Sequence, residues 1–336
     1  MVLVTGATGL VGSHLLWELL KVEHRVVALI RYTSSLRALR AVFGSYTDTP
    51  DSYLSRVEFR VAAINDSMAL DTALTGITEV FHCAAVVSLG GKDEAIRDVN
   101  VEGTRLLTEL CLKHGVTAFH YVSSIAACGQ YADGRPVDEQ APWAGMEQKS
   151  LYAQTKYLAE QEVWKAMKLG LKVSVVNPGV ILGFSGVNSG SSMLFHQVRK
   201  GLPFYIDGGS GYVGVRDVVA ALLLLRKQGI VGERFIVVAE NVTNRELLSM
   251  IALGFNKRPP RIKIGIPLLV VAASMLEVAG KLFRFTPPLN TTSARSSANI
   301  TLYSSAALQQ RTGLIFSPVS EVVKEVCNAM ERSGRL

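Results

Sequence analysis

Cysteine is scarce in this chain. Four lie in 336 residues, at Cys83, Cys111, Cys128 and Cys327, far apart and without a C-x-x-C pair. Such spacing suits neither a zinc site nor a disulfide framework, so no metal is assigned and a reduced, cytoplasmic chain is expected. Charge is thin as well: charged residues make up 19%, with no run of five like charges. Basic residues are not interleaved with aromatics, so no nucleic-acid surface is expected. The net charge of +7 asks for no more than a phosphate-bearing small ligand. Internal repeats and low-complexity linkers are also missing.

Long apolar runs are lacking too. Ile264 to Ala279 (IGIPLLVVAASMLEVA) is strongly apolar but holds Pro267 and Glu277, and it is shorter than the ~20 residues of a spanning helix. It reads as a buried helix, or one lining a substrate cleft or subunit contact, with docking on a membrane surface a minor alternative. The first strand begins almost at Met1, which leaves no room for a signal peptide. The six histidines do not cluster, and His14 with Glu18, one helical turn apart, reads as a surface contact.

What is present begins at the N-terminus. A short apolar run, Val2 to Val4, is followed by Gly6, Gly9 and Gly12, then by Leu15, Leu16, Leu19 and Leu20 at helical spacing. Strand, tight glycine turn and helix is the arrangement that seats a pyrophosphate at a helix N-terminus. The spacing is G-x-x-G-x-x-G, not the commoner G-x-G-x-x-G.

Further strands are expected at Arg25–Ile30, Val57–Val61, Glu79–His82, Ala118–Val122, Lys172–Val176 and Arg234–Val238. Helices between them include one from about Asp93 to His114 and one from Leu151 to Met167. This alternation predicts an α/β fold, a Rossmann-type doubly wound parallel sheet with a smaller mixed C-terminal substrate lobe. The dinucleotide layer is expected over residues 1–176, with 212–240 returning to it, and the lobe over 177–211 and 241–336. Two glycine- and serine-rich stretches, Gly183–Ser192 and Gly208–Gly214, read as loops over a site.

The second strand ends in Arg31, with no acid nearby. A carboxylate there would bind a ribose 2′-hydroxyl and repel a 2′-phosphate, whereas a guanidinium binds the phosphate. Ser34, Ser35 and Arg37 add donors, so NADP is the expected cofactor, with NAD the alternative. Tyr152 and Lys156 fall one turn apart on one helix face. A nearby ammonium is expected to lower a phenol's pKa toward the working range, making Tyr152 a proton donor or acceptor. Ser124 ends a strand, at the edge where open parallel sheets bind ligands.

Taken in order, Thr5-Gly6-Ala7-Thr8-Gly9-Leu10-Val11-Gly12, Phe81-His82-Cys83-Ala84-Ala85, Asn100-Val101-Glu102-Gly103-Thr104, Ser123-Ser124, Tyr152 to Lys156 and Asn177-Pro178-Gly179 carry a resemblance. The chain resembles an extended short-chain dehydrogenase/reductase of the epimerase, dehydratase and ketone-reductase group. The resemblance implies Tyr152 as acid/base, Lys156 as its partner and ribose holder, and Ser124 bonded to the substrate oxygen. It places Gly6, Thr8, Gly9, Leu10, Val11, Gly12, Arg31, Ser34, Ile64, Ala84 and Ala85 along the cofactor. It also places Pro178, Gly179 and Val180 beside the nicotinamide, and Asn100 as a brace of the active-site backbone. A homodimer through the helices near 93–114 and 151–167 is implied as well.

The chain departs from the family at several places. Ala62-Ala63-Ile64-Asn65-Asp66 lacks the usual aspartate for the adenine amino group, with Asp66 an alternative if the loop shifts. Asn177 stands where many members have arginine. Gly208-Gly209-Ser210 replaces the arginine that holds a nucleotide-sugar pyrophosphate, and only Ser-Ser-Ala-Asn follows Arg295. A buried diphosphate without cations is costly. The substrate is therefore expected to be a small or apolar carbonyl compound or its alcohol, as for dihydroflavonol-reductase-like and hydroxysteroid-dehydrogenase-like members. Arg216 keeps a nucleotide-sugar epimerase or dehydratase as the first alternative. A non-catalytic NADP-binding sensor is the second.

Overall fold

The computed structural model describes residues 1–32, 34, 36–87, 93–143, 145–147, 149–186, 191–265, 267, 274 and 299–333. Most of the apolar stretch from Ile264 to Ala279 therefore lies outside the described residues, as do Ser35 and Arg295. The strands are β1 (Val2–Thr5), β2 (Val26–Ile30), β3 (Val57–Val61), β4 (Glu79–His82), β5 (Ala118–Val122) and β6 (Lys172–Pro178). Past these come β7 (Val180–Leu182), β8 (Phe204–Ile206), β9 (Gly209–Gly214), β10 (Glu233–Val237), β11 (Glu240–Thr243) and β12 (Ile262–Ile264). The first helices are α1 (Leu10–Leu19), α2 (Leu36–Gly44), α3 (Pro50–Leu54), α4 (Ser67–Ala73), α5 (Asp93–Arg97) and α6 (Gly103–Lys113). The later ones are α7 (Leu151–Lys168), α8 (Ser191–Arg199), α9 (Val215–Gln228), α10 (Asn244–Gly254), α11 (Ala306–Thr312) and α12 (Val319–Ser333).

Seven strands form one sheet in the order β10-β6-β5-β4-β1-β2-β3, every neighbouring pair parallel. The strand order reverses between β1 and β4, and such a switch point opens a crevice at the carboxyl ends of the strands. Side chains alternate across the sheet as the pleat requires. Val2 and Val4 join Leu15, Leu16, Val218 and Leu222 of α1 and α9, while Leu3 joins Leu107 of α6 and Val163 of α7. Each fully buried Leu or Val contributes roughly 1.5–3 kcal/mol, so the two clusters hold the sheet between its helical layers. A third cluster joins Phe195, Leu247, Ile251, Val323 and Val326 of α8, α10 and α12.

Two expected elements take another form. The expected helix from Asp93 to His114 is interrupted: Asp98–Glu102 is a π-turn between α5 and α6. That wider turn holds Asn100, whose side chain bonds outside the helix, the usual reason a π-turn persists. The expected loop over Gly208–Gly214 is largely strand β9, the centre of a small sheet ordered β11-β9-β7. Its glycines serve close approach: a Cβ on Gly179 would stand 2.4 Å from the Gly211 carbonyl, and one on Gly211 would stand 2.7 Å from Val238. His14 is not a surface residue. It is buried and bonds Tyr46 and the Phe184 carbonyl, while Glu18 pairs with Lys21.

Candidate active site

The crevice between β1 and β4 is a cavity of about 300 Å³. It gathers eight of the expected cofactor residues: Gly6, Thr8, Gly9, Arg31, Ser34, Ile64, Ala84 and Ala85. Gly6 sits at φ +65°, and a Cβ there would lie 2.7 Å from the backbone of Cys83 and Ala84. Only glycine allows the two loops to meet so closely. A Cβ on Gly12 would strike the Gly6 carbonyl at 2.2 Å, so Gly12 lets α1 pack against the turn. Gly9 differs, because its Cβ would meet only the Gly6 carbonyl, at 3.1 Å. Leu10, Val11 and Gly12 form the first turn of α1, which carries no acidic residue and no side-chain cap.

Arg31 is exposed at the rim, and among the described residues its guanidinium forms no ion pair or side-chain hydrogen bond. Its backbone is pinned by Ser34, whose hydroxyl accepts from the Arg31 N–H at 3.0 Å. Asp66 does not reach the cleft. Its carboxylate caps α4 by accepting from the Ala69 N–H at 3.1 Å, and Asn65 lines the cavity instead.

Ser150 caps α7 and so sets Tyr152 in its first turn, one turn before Lys156. Tyr152 is half-buried, and its phenol faces the Ser124 side chain. Burial pushes its phenol above the usual range, and the Ser124 hydroxyl works against that. Lys156, 1% exposed, donates to the Tyr121 phenol at 3.2 Å and to the Val122 carbonyl at 2.8 Å. Burial lowers Lys156 to about 8, with Glu160 and Cys83 opposing. The Ser124 hydroxyl accepts from Ala126 N–H at 3.1 Å, which leaves its own proton to donate.

Asn100 clamps the segment after β4. Its Oδ1 accepts from the Val86 N–H at 2.8 Å, and its Nδ2 donates to the Val86 carbonyl at 3.0 Å and to Thr155 at 3.2 Å. Pro178, Gly179 and Val180 pass along the same carboxyl edge of the sheet, joining β6 to β7.

Sequence reasoning did not single out the groups beneath the site. Glu160, 1% exposed, accepts from Ser123 at 2.7 Å, Asn177 at 2.9 Å, Arg234 at 3.2 Å and Trp164 at 3.3 Å. Asn177 also donates to the Ser124 carbonyl at 3.0 Å. Arg234, from β10, thus supplies a cation to this centre beside Asn177. The i, i+4, i+8 spacing of Tyr152, Lys156 and Glu160 was a usable signal, since it puts all three on one helix face. A second chain runs through His82. Ala84 N–H donates to Thr5, Thr5 bonds His82 Nδ1 at 2.7 Å, His82 Nε2 bonds Thr104 at 3.0 Å, and Thr104 donates to the Asn100 carbonyl. Because Thr104 gives its proton to Asn100, His82 donates through Nε2 and accepts through Nδ1. It is neutral, and burial lowers it to about 3.

A glycine loop at the switch point of a parallel sheet, with a tyrosine–lysine helix beside it, defines an NAD(P)-binding oxidoreductase of the Rossmann type. Comparison with known proteins agrees. The family model described as male sterility protein matches residues 4–208. A Synechocystis sp. protein provisionally named dihydroflavonol 4-reductase is 28% identical over 98% of this chain and 94% of its own length. Sterol demethylase protein B of Methylococcus capsulatus is 32% identical over 80% of each chain. The crystal structure of gox2253 matches with a TM-score of 0.82 at 29% identity, over 100% of this chain and 99% of that one. The chain belongs to the extended short-chain dehydrogenase/reductase family, the NAD(P)-dependent epimerase/dehydratase group, and is an enzyme of that family. Among the described residues no helix is long and apolar enough to cross a membrane.

Proposed function

We propose that the enzyme uses NADP to interconvert a carbonyl and a secondary alcohol on a small or apolar substrate. The observation that carries this is the Tyr152 phenol facing the Ser124 hydroxyl, with the buried amine of Lys156 one helical turn on. The residues fit a dinucleotide. Gly9 leaves the floor of the cleft without a Cβ, the first turn of α1 faces it without an acid, and Arg31, unpaired among the described residues, lines the rim and would hold a 2′-phosphate. When bound, the nicotinamide supplies or takes the hydride. Tyr152 then gives its proton to the carbonyl oxygen or removes one from the alcohol, while Ser124 donates a hydrogen bond to the same oxygen.

Support for an apolar substrate comes from the C-terminal part. Leu194, Leu202, Phe204, Leu247, Leu248 and Ile264 line a largely apolar cavity of about 460 Å³. Arg216, the anchor left for a nucleotide-sugar diphosphate, is engaged with Glu325 at 3.3 Å and lies over the Tyr46 ring at 5.0 Å. The two similar proteins above are named as a dihydroflavonol 4-reductase and a sterol demethylase protein, which fits the same substrate class. A cytoplasmic setting fits four free cysteines, and a homodimer through α6 and α7 follows from the family resemblance.

The test is stoichiometric oxidation of NADPH with aromatic and sterol-like ketones, set against NADH. Steady NADPH consumption is the expected result. Isomerisation of a nucleotide sugar with no net coenzyme consumption would overturn the reading in favour of an epimerase.

A further inference from the structure

The Lys156 amine does not hang free in the site. Its Nζ lies 3.2 Å from the Tyr121 oxygen, 4.8 Å from the Tyr121 ring centre and 2.8 Å from the Val122 carbonyl. Tyr121 is itself clamped. It is 1% exposed, and its ring stacks on His82 at 5.4 Å with 24° between planes. Because Lys156 donates, the phenol offers it a lone pair. An ammonium has three N–H groups, and two are held by β5. One is left for the reacting side.

We infer that Tyr121 is a positioning residue that fixes the Lys156 amine and favours its charged form. This rests on the reading of Lys156 as the working partner of Tyr152. Charged and titratable groups facing Lys156 come from three elements: Glu160 on α7, Tyr121 on β5, and His82 and Cys83 at the end of β4. His82 is neutral, and Cys83 is pushed up to about 12, so both are uncharged at working pH. Glu160 and Tyr121 then remain as the groups that favour the ammonium. An acceptor bonded to the charged form raises a lysine's pKa, so its loss lowers it.

The test is Tyr121→Phe, which removes one oxygen and keeps the ring. Titration of the Lys156 ¹⁵Nζ signal in the cofactor-free full chain, assigned by its loss in Lys156→Met, should move down by about one unit. In NADPH-linked carbonyl reduction, kcat should fall about tenfold, with KM for the carbonyl little changed. The limb of the kcat–pH profile that reports Lys156 should shift to lower pH. If Tyr121→Phe folds and lowers only the melting temperature, leaving titration and profile in place, Tyr121 is structural and the inference is overturned. Should that variant fail to fold, Tyr121→Met, which is apolar and also lacks the hydroxyl, is read by the same two measurements with the same signs. A wild-type chain that turns over no carbonyl would sink the functional reading, while the titration would still decide the role of Tyr121.

Discussion

The two ends of the crevice satisfy their polar groups in opposite ways. At the glycine end the donors are backbone N–H groups and one exposed guanidinium, facing an open rim. At the tyrosine end, Lys156, Glu160, Asn100, His82 and Thr104 are all almost fully buried and bond one another through side chains from β1, β4, β5, β6, β10 and α7. The contrast follows from the chemistry each end serves. Recognising a phosphate needs charge and close approach but tolerates water. Setting the proton affinity of a phenol and an amine needs water kept out, because only then do fixed dipoles act strongly.

That contrast predicts unequal responses to mutation. Removing the Tyr152 hydroxyl in Tyr152→Phe takes away the proton carrier, and kcat should drop by about 10³-fold. NADPH affinity should stay within about twofold, because the phosphate end is untouched. Stopped-flow and coenzyme fluorescence titration together read both numbers, and full activity in this variant would assign the proton to another group. At the open end, Arg31→Asp replaces a phosphate donor by a repelling carboxylate. The ratio of kcat/KM for NADPH over NADH should fall by roughly 10- to 100-fold. Because Arg31 is exposed, that shift should shrink in molar salt, whereas the Tyr152→Phe defect should not. An unchanged coenzyme ratio would remove Arg31 from phosphate recognition.

Legibility in sequence divides along the same line. The glycine end is local: strand, three glycines, helix and the arginine closing β2 all lie within 31 residues, so spacing alone located it. The main sheet was readable for a related reason. Its strands are buried on both faces and appear as short apolar runs between turns. The tyrosine end was readable only along α7, where helical spacing joins Tyr152 to Lys156. Tyr121, Thr104, His82 and Arg234 reach it from separate strands and helices; His82 and Thr104 lie in segments that carry the family resemblance, but no spacing joins the four to Tyr152. The strands β7, β8, β11 and β12 escaped because they run three or four residues and are half-exposed. The glycines of β9 looked like loop residues, although they make room for the Val242 carbonyl at Gly209 and for the Val238 and Val322 side chains at Gly211 and Gly214.

In one respect the two ends are alike, and a smaller effect follows from it. Each rests on a buried neutral histidine: His82 under the tyrosine end, and His14 on α1 behind the glycine turn. Burial lowers His82 to about 3 and His14 to about 4, from 6.5 in an exposed chain. Below pH 6.5 the unfolded chain takes up protons at both sites and the folded chain does not, so stability falls as pH drops. Each histidine should contribute a slope of about 1.4 kcal/mol per pH unit, acting for His14 down to about pH 4 and for His82 down to about pH 3. Urea unfolding between pH 7 and 4.5 reads this slope directly. His82→Gln will lower stability at every pH through its broken bonds to Thr5 and Thr104, but it should also flatten the slope by that one-histidine amount. His14→Gln should flatten it equally, although its bonds run to Tyr46 and Phe184. A slope unchanged in either variant would mean that its histidine is already protonated in the folded chain, and for His82 the proton order assigned along Thr5, His82 and Thr104 would have to be redrawn.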